Sequence, residues 1–218
     1  MGLDSAVNAW LRWKSRSPDR LDPGFPTVRL GPDDGQWWRI HGAGYGPWWF
    51  ASSDSPRRRL AHIGRFDLPA PFGTCYLAEF LAGAASESMR QTGVSHSDSQ
   101  EAANSRRLSQ MALGRWHGKP LADFTSARAA EAGAPDDIAK LRRGHARPWA
   151  LAAHRAGFAG IFYRLREDPK RRKGIALFHD AGEHPPAVQP PAQQLPVGLR
   201  TEIGALFGGE FRGDPILK

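Results

Sequence analysis

Arginine is the residue type in this chain best suited to bind a charged ligand. Of the 30 basic residues, 24 are arginine and six are lysine, and the formal net charge is +8. A guanidinium group binds phosphate or carboxylate through two parallel hydrogen bonds. This composition favours a phosphorylated ligand, a nucleic acid or an acidic protein partner, although the coding bias of a GC-rich genome would produce the same excess.

Two further patterns that could bind phosphate or nucleic acid are weak. The glycines at positions 42, 44 and 46 form a GxGxG run, but it lacks the full glycine pattern and the following amphipathic helix of a dinucleotide-binding turn. The sequence also contains no GxxxxGK[ST] phosphate loop. The basic run Lys170–Lys173 has no interleaved aromatic residue, so we expect a solvated turn there and consider nucleic-acid binding the less favoured alternative.

Metal and cysteine chemistry are not supported. The eight histidines include no HExxH motif, and the pairs His179–His184 and His41–His62 lack a convincing third ligand, so we expect no metal site. Cys75 is the only cysteine and has no identifiable histidine partner, and we expect its side chain to face the core, away from that of Tyr76. A single cysteine and the absence of a long apolar run predict a cytoplasmic protein without a membrane segment.

Short strands that alternate with single helices predict an α+β domain with a mixed central sheet flanked by helices. We divide the chain into a lead-in over 1–35, a domain over 36–182, and a Pro-rich linker with an apolar tail over 183–218, which we expect to lie outside the core. Residues 92–109 are polar and are interpreted as a loop. Periodicity predicts helices over 6–13, 80–89 and 147–157 and strands over 36–40, 74–78, 160–166 and 174–180.

Short motifs in a defined order resemble the RES-domain family. The proximal motifs are Trp38-Arg39-Ile40, Gly64-Arg65-Phe66-Asp67, Gly73-Thr74-Cys75-Tyr76-Leu77-Ala78 and Gly83-Ala84 followed by Glu87, and the distal motifs are Leu121-Ala122-Asp123-Phe124-Thr125, Trp149-Ala150, Gly157-Phe158-Ala159-Gly160-Ile161 and Ala176-Leu177-Phe178. The resemblance covers about residues 36–180.

This resemblance implies a fold and an activity. RES domains are similar in fold to ADP-ribosyltransferases, and characterised members are toxins of bacterial toxin–antitoxin pairs that destroy NAD+ by hydrolysis or phosphorolysis. We therefore expect an enzyme that takes NAD+ as its substrate, has no resident cofactor, and is neutralised by a protein antitoxin.

The same resemblance implies a set of site residues. The family arginine falls at Arg39 or Arg65, the family glutamate at Glu87, and the strand tyrosine at Tyr76. Cleavage of the nicotinamide–ribose bond passes through an oxocarbenium-like state, which the Glu87 carboxylate would stabilise. Arg39 and Arg65 would bind the pyrophosphate, Tyr76 would stack on nicotinamide or bind the ribose, and Arg166 would reach a phosphate from a strand end. We expect Arg39, Arg65, Tyr76 and Glu87 to line one pocket.

One position departs from the family pattern. The family serine is expected two residues after Tyr163, where this sequence has Leu165. Period-2 alternation places Ile161, Tyr163 and Leu165 on one face of their strand, and Phe162 on the other. The missing hydroxyl leaves one alternative to the enzyme open, a catalytically impaired RES-fold protein that binds NAD or ADP-ribose. The arginine-rich composition leaves a second, a nucleic-acid-binding protein. On the first alternative, Leu165→Ser should raise turnover.

Overall fold

The computed structural model describes residues 18–54, 64–90, 106–135, 137–166, 168 and 170–194. Two 3₁₀ turns cover Gly114–Trp116 and Ile138–Lys140. Among the described residues, no helix has the length and apolar character needed to cross a membrane. In chain order the elements are β1 (Thr27–Arg29), β2 (Trp37–Gly42), β3 (Trp49–Phe50), β4 (Phe72–Ala78), α1 (Leu81–Arg90), β5 (Arg106–Met111), β6 (Pro120–Asp123), α2 (Ala127–Glu131), α3 (Arg143–Arg155), β7 (Gly160–Arg164), β8 (Lys173–Asp180), β9 (Gly182–Glu183) and β10 (Gln193–Gln194).

A mixed sheet organises the fold. Its eight strands follow the order β1-β6-β7-β8-β4-β2-β5-β10, and β3 pairs separately with β9. The β6–β7 pair is parallel, and the other pairs of the large sheet are antiparallel. The predicted α+β class with a mixed central sheet is therefore confirmed.

The two faces of the sheet carry two separate apolar layers. The first layer, which we call the helix-side core, contains Phe66, Ile161, Tyr163 and Leu165 together with buried alanines of α1 and α3. The second, the tryptophan-side core, contains buried tryptophans and Cys75. Successive strand residues point to opposite faces. The predicted alternation along β7 is confirmed, because Phe162 packs against the tryptophan-side core.

Helix α3 starts earlier than its sequence predicted. The helix begins at Arg143, so Pro148 lies inside it and not in its first turn. Its end agrees with the prediction: Gly157 has a φ of 88°, and Phe158 N–H donates to the carbonyl of Ala153. A glycine in this left-handed conformation ends many helices without steric cost.

The polar segment that we interpreted as a loop ends in a strand. Residues 106–109 belong to β5, so the loop prediction is wrong there, and the rest of that segment lies outside the described residues. β5 pairs antiparallel with β2 from Trp37 opposite Met111 to Gly42 opposite Arg106. Leu108 and Met111 are buried. The strand was missed because this sheet position tolerates half-buried arginines, which mask the apolar pattern.

The chain outside 36–182 also packs on the domain where it is described. Leu21 and Phe25 are buried in the helix-side core, and β1 pairs with β6. Residues 184–194, which we call the Pro-rich segment, are largely exposed, but their end forms β10 against β5. The helix predicted over 6–13 and the apolar tail lie outside the described residues.

Candidate functional site

The loop over residues 64–68 is held against β4 by Tyr76. The Tyr76 hydroxyl donates to Oδ1 of Asp67 at 2.9 Å and accepts from the main-chain N–H of Phe66 at 2.7 Å. Asp67 is almost fully buried, and its Oδ2 accepts from the N–H of Gly64 at 2.6 Å. Burial, together with the Asp67 carboxylate, raises the pKa of Tyr76, so the phenol stays neutral and remains a donor.

A second anchor comes from Thr74, two residues earlier on β4. Its hydroxyl donates to the carbonyl of Phe66 at 2.9 Å and accepts from the N–H of Leu68 at 3.3 Å. Thr74 is fully buried, so these bonds satisfy polar groups that water cannot reach. Thr74 and Tyr76 lie on the same face of β4 and together fix the backbone on both sides of residue 66.

The loop over residues 64–68, fixed by these hydrogen bonds, places Arg65 beside the start of α3. Arg65 Nε donates to the carbonyl of Leu141 at 3.2 Å, two residues before the helix begins at Arg143. Arg65 is partly buried, so its guanidinium is held at the edge of the helix-side core. An arginine beside a helix N-terminus creates a locally positive surface, since the first main-chain N–H groups of a helix favour anions.

Glu87 approaches the same region from α1. Its Oε1 accepts a hydrogen bond of 3.0 Å from the main-chain N–H of Arg166, just past the end of β7. The carboxylate is partly buried, and the helix carrying it packs Ala84 and Ala85 into the helix-side core. A rigid helix and a main-chain donor together fix where the negative charge lies.

Tyr163, which the sequence did not identify as a site residue, packs in the helix-side core against the loop that carries Arg65. Its side chain is 1% exposed, and burial followed by the charge of Glu87 raises its pKa, whereas the charge of Arg65 acts in the opposite direction. The Phe66 ring packs edge-on against Tyr163, with centroids 4.9 Å apart, and stacks against Tyr76 at 6.2 Å. The sequence did contain one signal for Tyr163, because period-2 alternation places it on the same face of its strand as Leu165.

The expectation that Arg39 shares this pocket is wrong. Its Nη1 donates to the carbonyl of Pro47 and contacts Sγ of Cys75, both at 2.6 Å. Cys75 belongs to the tryptophan-side core, whereas Tyr76 packs against the helix-side core, as predicted from their adjacency. Arg39 therefore points to the opposite face of the sheet. Burial raises the pKa of Cys75 to about 11 despite this nearby guanidinium.

Arg166 contributes through its backbone. The side chain is exposed, and its main-chain N–H is the group that contacts Glu87. The neighbouring hairpin is stabilised by Arg171, which donates to the carbonyl of Leu165 at 2.9 Å and pairs with Asp137. Asp168 is buried and pairs with Arg172 at 2.5 Å.

Two other features lie apart from this site. A cavity of about 600 Å³ is bordered by Trp37, Leu113, Arg115 and Val188, and none of the predicted site residues lines it. Within the described ranges, no group of three or more His, Cys, Asp or Glu side chains could hold a metal ion.

Comparisons with known proteins identify the family and a similar fold. The family model described as the RES domain matches residues 36–200, which is more than half of the chain. The fold is similar to that of the toxin chain in the crystal structure of the M. tuberculosis MbcT–MbcA toxin–antitoxin complex, with a TM-score of 0.58 and 18% sequence identity. That alignment covers 82% of this chain and 92% of the other. No curated protein matches at a significant level. The chain belongs to the RES domain family.

Proposed function

We propose that this protein cleaves the bond between nicotinamide and ribose in NAD+. The observation that carries the proposal is that two fixed charges lie on the helix side of the sheet. The Glu87 carboxylate is held by the Arg166 N–H, and Arg65, held by the Leu141 carbonyl, precedes Phe66, whose ring packs against Tyr163. A fixed carboxylate and a fixed guanidinium on one side of an otherwise apolar layer suit a substrate with a sugar next to a pyrophosphate.

Glu87 supplies the charge that this reaction needs. As the C1′–N bond breaks, its electron pair moves to the nicotinamide nitrogen and positive charge develops on the ribose, as in glycoside hydrolysis. Water adds at C1′ and loses a proton, giving ADP-ribose, or phosphate adds instead. A carboxylate already held by the Arg166 N–H needs little reorganisation to stabilise that charge.

Arg65 is the group we assign to the pyrophosphate. Its loop is anchored on β4 by Tyr76 and Thr74, and its guanidinium lies beside the start of α3. A charge-assisted contact from a preorganised arginine contributes to ground-state binding as well as to the transition state. Tyr76 supports this binding by ordering the loop, so its hydroxyl is already engaged by the protein.

We also propose that the protein acts as a cytoplasmic toxin restrained by a protein antitoxin. Support comes from membership of the RES domain family and from the similarity in fold to a protein crystallised in a toxin–antitoxin complex. An antitoxin that covers the Glu87 site would exclude NAD+ directly.

The test is a time course of NAD+ with the purified full chain, followed by HPLC with and without added phosphate. Release of nicotinamide with ADP-ribose indicates hydrolysis, and a phosphate-dependent product indicates phosphorolysis. Binding of NAD+ without cleavage would support the impaired binder instead. Absence of both binding and cleavage, together with salt-sensitive nucleic-acid binding, would overturn the NAD+ assignment.

A further inference from the structure

Leu165, the residue at the family's serine position, occupies space that two glycines provide. A Cβ added at Gly83 on α1 would lie 2.5 Å from Cδ1 of Leu165, and a Cβ added at Gly174 on β8 would lie 2.6 Å from Cδ2. Leu165 itself is 1% exposed. Its isobutyl group therefore fills the gap between helix and sheet, and neither glycine could be larger without displacing it.

The backbone of Leu165 is held as firmly as its side chain. Its N–H donates to the carbonyl of Arg172 at 2.8 Å, and its carbonyl accepts from Nη1 of Arg171 at 2.9 Å. The next N–H along the chain, that of Arg166, is the donor to Glu87. The Arg166 N–H therefore follows directly after a residue whose backbone and side chain are both fixed.

The helix side of the contact has matching geometry. Glu87 follows Gly83 by four residues, which places both on the same face of α1, one turn apart. Leu165 packs on Gly83, and Arg166 then meets Glu87 one turn further along. Two consecutive residues of the strand end thus contact two consecutive turns of the helix.

We propose that Leu165 is a positioning residue that sets the spacing between α1 and the end of β7, so that the Arg166 N–H holds the Glu87 carboxylate in the site. Where the family has a serine hydroxyl, this chain then has a packed leucine that holds the neighbouring Arg166 N–H against Glu87. The inference rests on the proposed function in taking Glu87 as the catalytic carboxylate. It reverses the expectation from sequence that Leu165→Ser should raise turnover.

The experiment compares Leu165→Ser and Leu165→Ala with a control, Leu121→Ser, in the full chain. Leu121 is 2% exposed in the tryptophan-side core, on the opposite face of the sheet from the helix that carries Glu87. We expect both Leu165 variants to lower kcat for NAD+ about 10- to 100-fold while KM stays within about twofold, because misplacing a catalytic group by about 1 Å costs rates of this order. Leu121→Ser should lower the thermal midpoint by a similar amount but leave kcat unchanged. Leu165→Met, which conserves volume, should retain most of the activity.

A second readout does not depend on catalysis. Amide hydrogen exchange of Arg166, followed by NMR, should be at least tenfold faster in Leu165→Ala than in the wild type, and close to the wild type in Leu121→Ser, under conditions where all three are folded. If Leu165→Ala is too unstable, Leu165→Val gives the same comparison at a smaller loss of volume.

The outcomes separate the two claims. Equal Arg166 exchange in the wild type and the Leu165 variants, or a Leu165→Ser variant that is as active as the wild type or more so, would overturn the positioning role. A wild type that does not consume NAD+ but shows the expected Arg166 exchange would overturn the proposed function and leave the spacing role of Leu165 intact.

Discussion

The hydroxyl of Tyr76 donates a hydrogen bond of 2.9 Å to Asp67, nine residues earlier in the chain. The same oxygen accepts from the N–H of Phe66, so one side chain of β4 closes the loop that carries Arg65. The resemblance to RES domains placed Tyr76 against the substrate. In the structure the Tyr76 hydroxyl orders the loop that carries Arg65.

Tyr76→Phe should destabilise the protein and weaken NAD+ binding. The change leaves the buried Asp67 carboxylate without one donor and the Phe66 N–H without its acceptor, which costs about 1–3 kcal/mol in the free energy of unfolding. Because the loop loosens, we expect KM for NAD+ to rise more than kcat falls. Urea unfolding and steady-state kinetics measure both effects. The control is Tyr45→Phe, whose ring is 48% exposed. Equal stability and KM in the two variants would contradict this role.

Asp168→Asn should remove a pH-dependent part of the stability. Burial alone would raise the pKa of Asp168. Hydrogen bonds from Arg172 and Lys170 outweigh this effect and lower the pKa below its ordinary value of 3.8. A group whose folded pKa is lowered stabilises the fold above its unfolded pKa and loses that contribution as pH falls through the folded pKa. The difference in unfolding free energy between wild type and variant should therefore be largest near neutral pH and shrink below about pH 4.

A matched control for this measurement is Asp19→Asn. Asp19 faces Arg155 at 3.8 Å, but its side chain is fully exposed, and such pairs contribute little. We expect its unfolding free energy to follow that of the wild type at every pH. A constant difference for Asp168→Asn across the pH range would show that the Asp168–Arg172 pair is not the source of the effect.

The Pro-rich segment should contribute to stability through Gln189. Its Oε1 accepts from Nε1 of the buried Trp48 at 2.6 Å, and its Nε2 donates to the carbonyl of Gln110 at 2.8 Å. Gln189→Ala leaves the indole N–H unpaired, and we expect a loss of about 1–3 kcal/mol in the free energy of unfolding. Gln193→Ala, at an exposed position of the same segment, should cost less than about 0.5 kcal/mol. Similar values for both, measured by urea unfolding, would indicate that the contact with Trp48 is unimportant.

Cys75 should be unreactive in the folded protein. Its side chain is fully buried, and its pKa of about 11 leaves little thiolate at pH 8. Labelling with a chromogenic disulfide should be about 100-fold slower in the native protein than in guanidinium chloride at the same pH, because unfolding restores a pKa near 8.5. Rapid labelling of the native protein would contradict the buried position of Cys75.

The sequence was informative where periodicity and local chemistry coincide. Strand β4, helix α1 and the β7–β8 hairpin follow from apolar spacing, and the adjacency of Cys75 and Tyr76 correctly places them on opposite faces. The same spacing could not show which face of β2 meets Tyr76, because that depends on strand pairing, and Arg39 was therefore assigned to the wrong side.

Long-range packing explains what was missed. Strand β5 is recognisable only beside β2, because its arginines hide its alternation. Tyr163 meets Phe66 only when the loop over 64–68 is folded against β7. Likewise, the sequence does not show that Leu165 fills the space left by Gly83 and Gly174, which lie far from it in the chain or on another strand.

The most direct measurement is the rate of nicotinamide release from saturating NAD+ by the wild type and by Glu87→Gln, with ADP-ribose affinity determined on the same preparations. We expect Glu87→Gln to lower kcat at least 100-fold, since an electrostatic contact realised mainly in the transition state is lost, while the dissociation constant for ADP-ribose changes less than about threefold. Wild-type cleavage that persists in Glu87→Gln, or a loss of affinity that accounts for the whole effect, would contradict the assignment of Glu87 as the catalytic carboxylate.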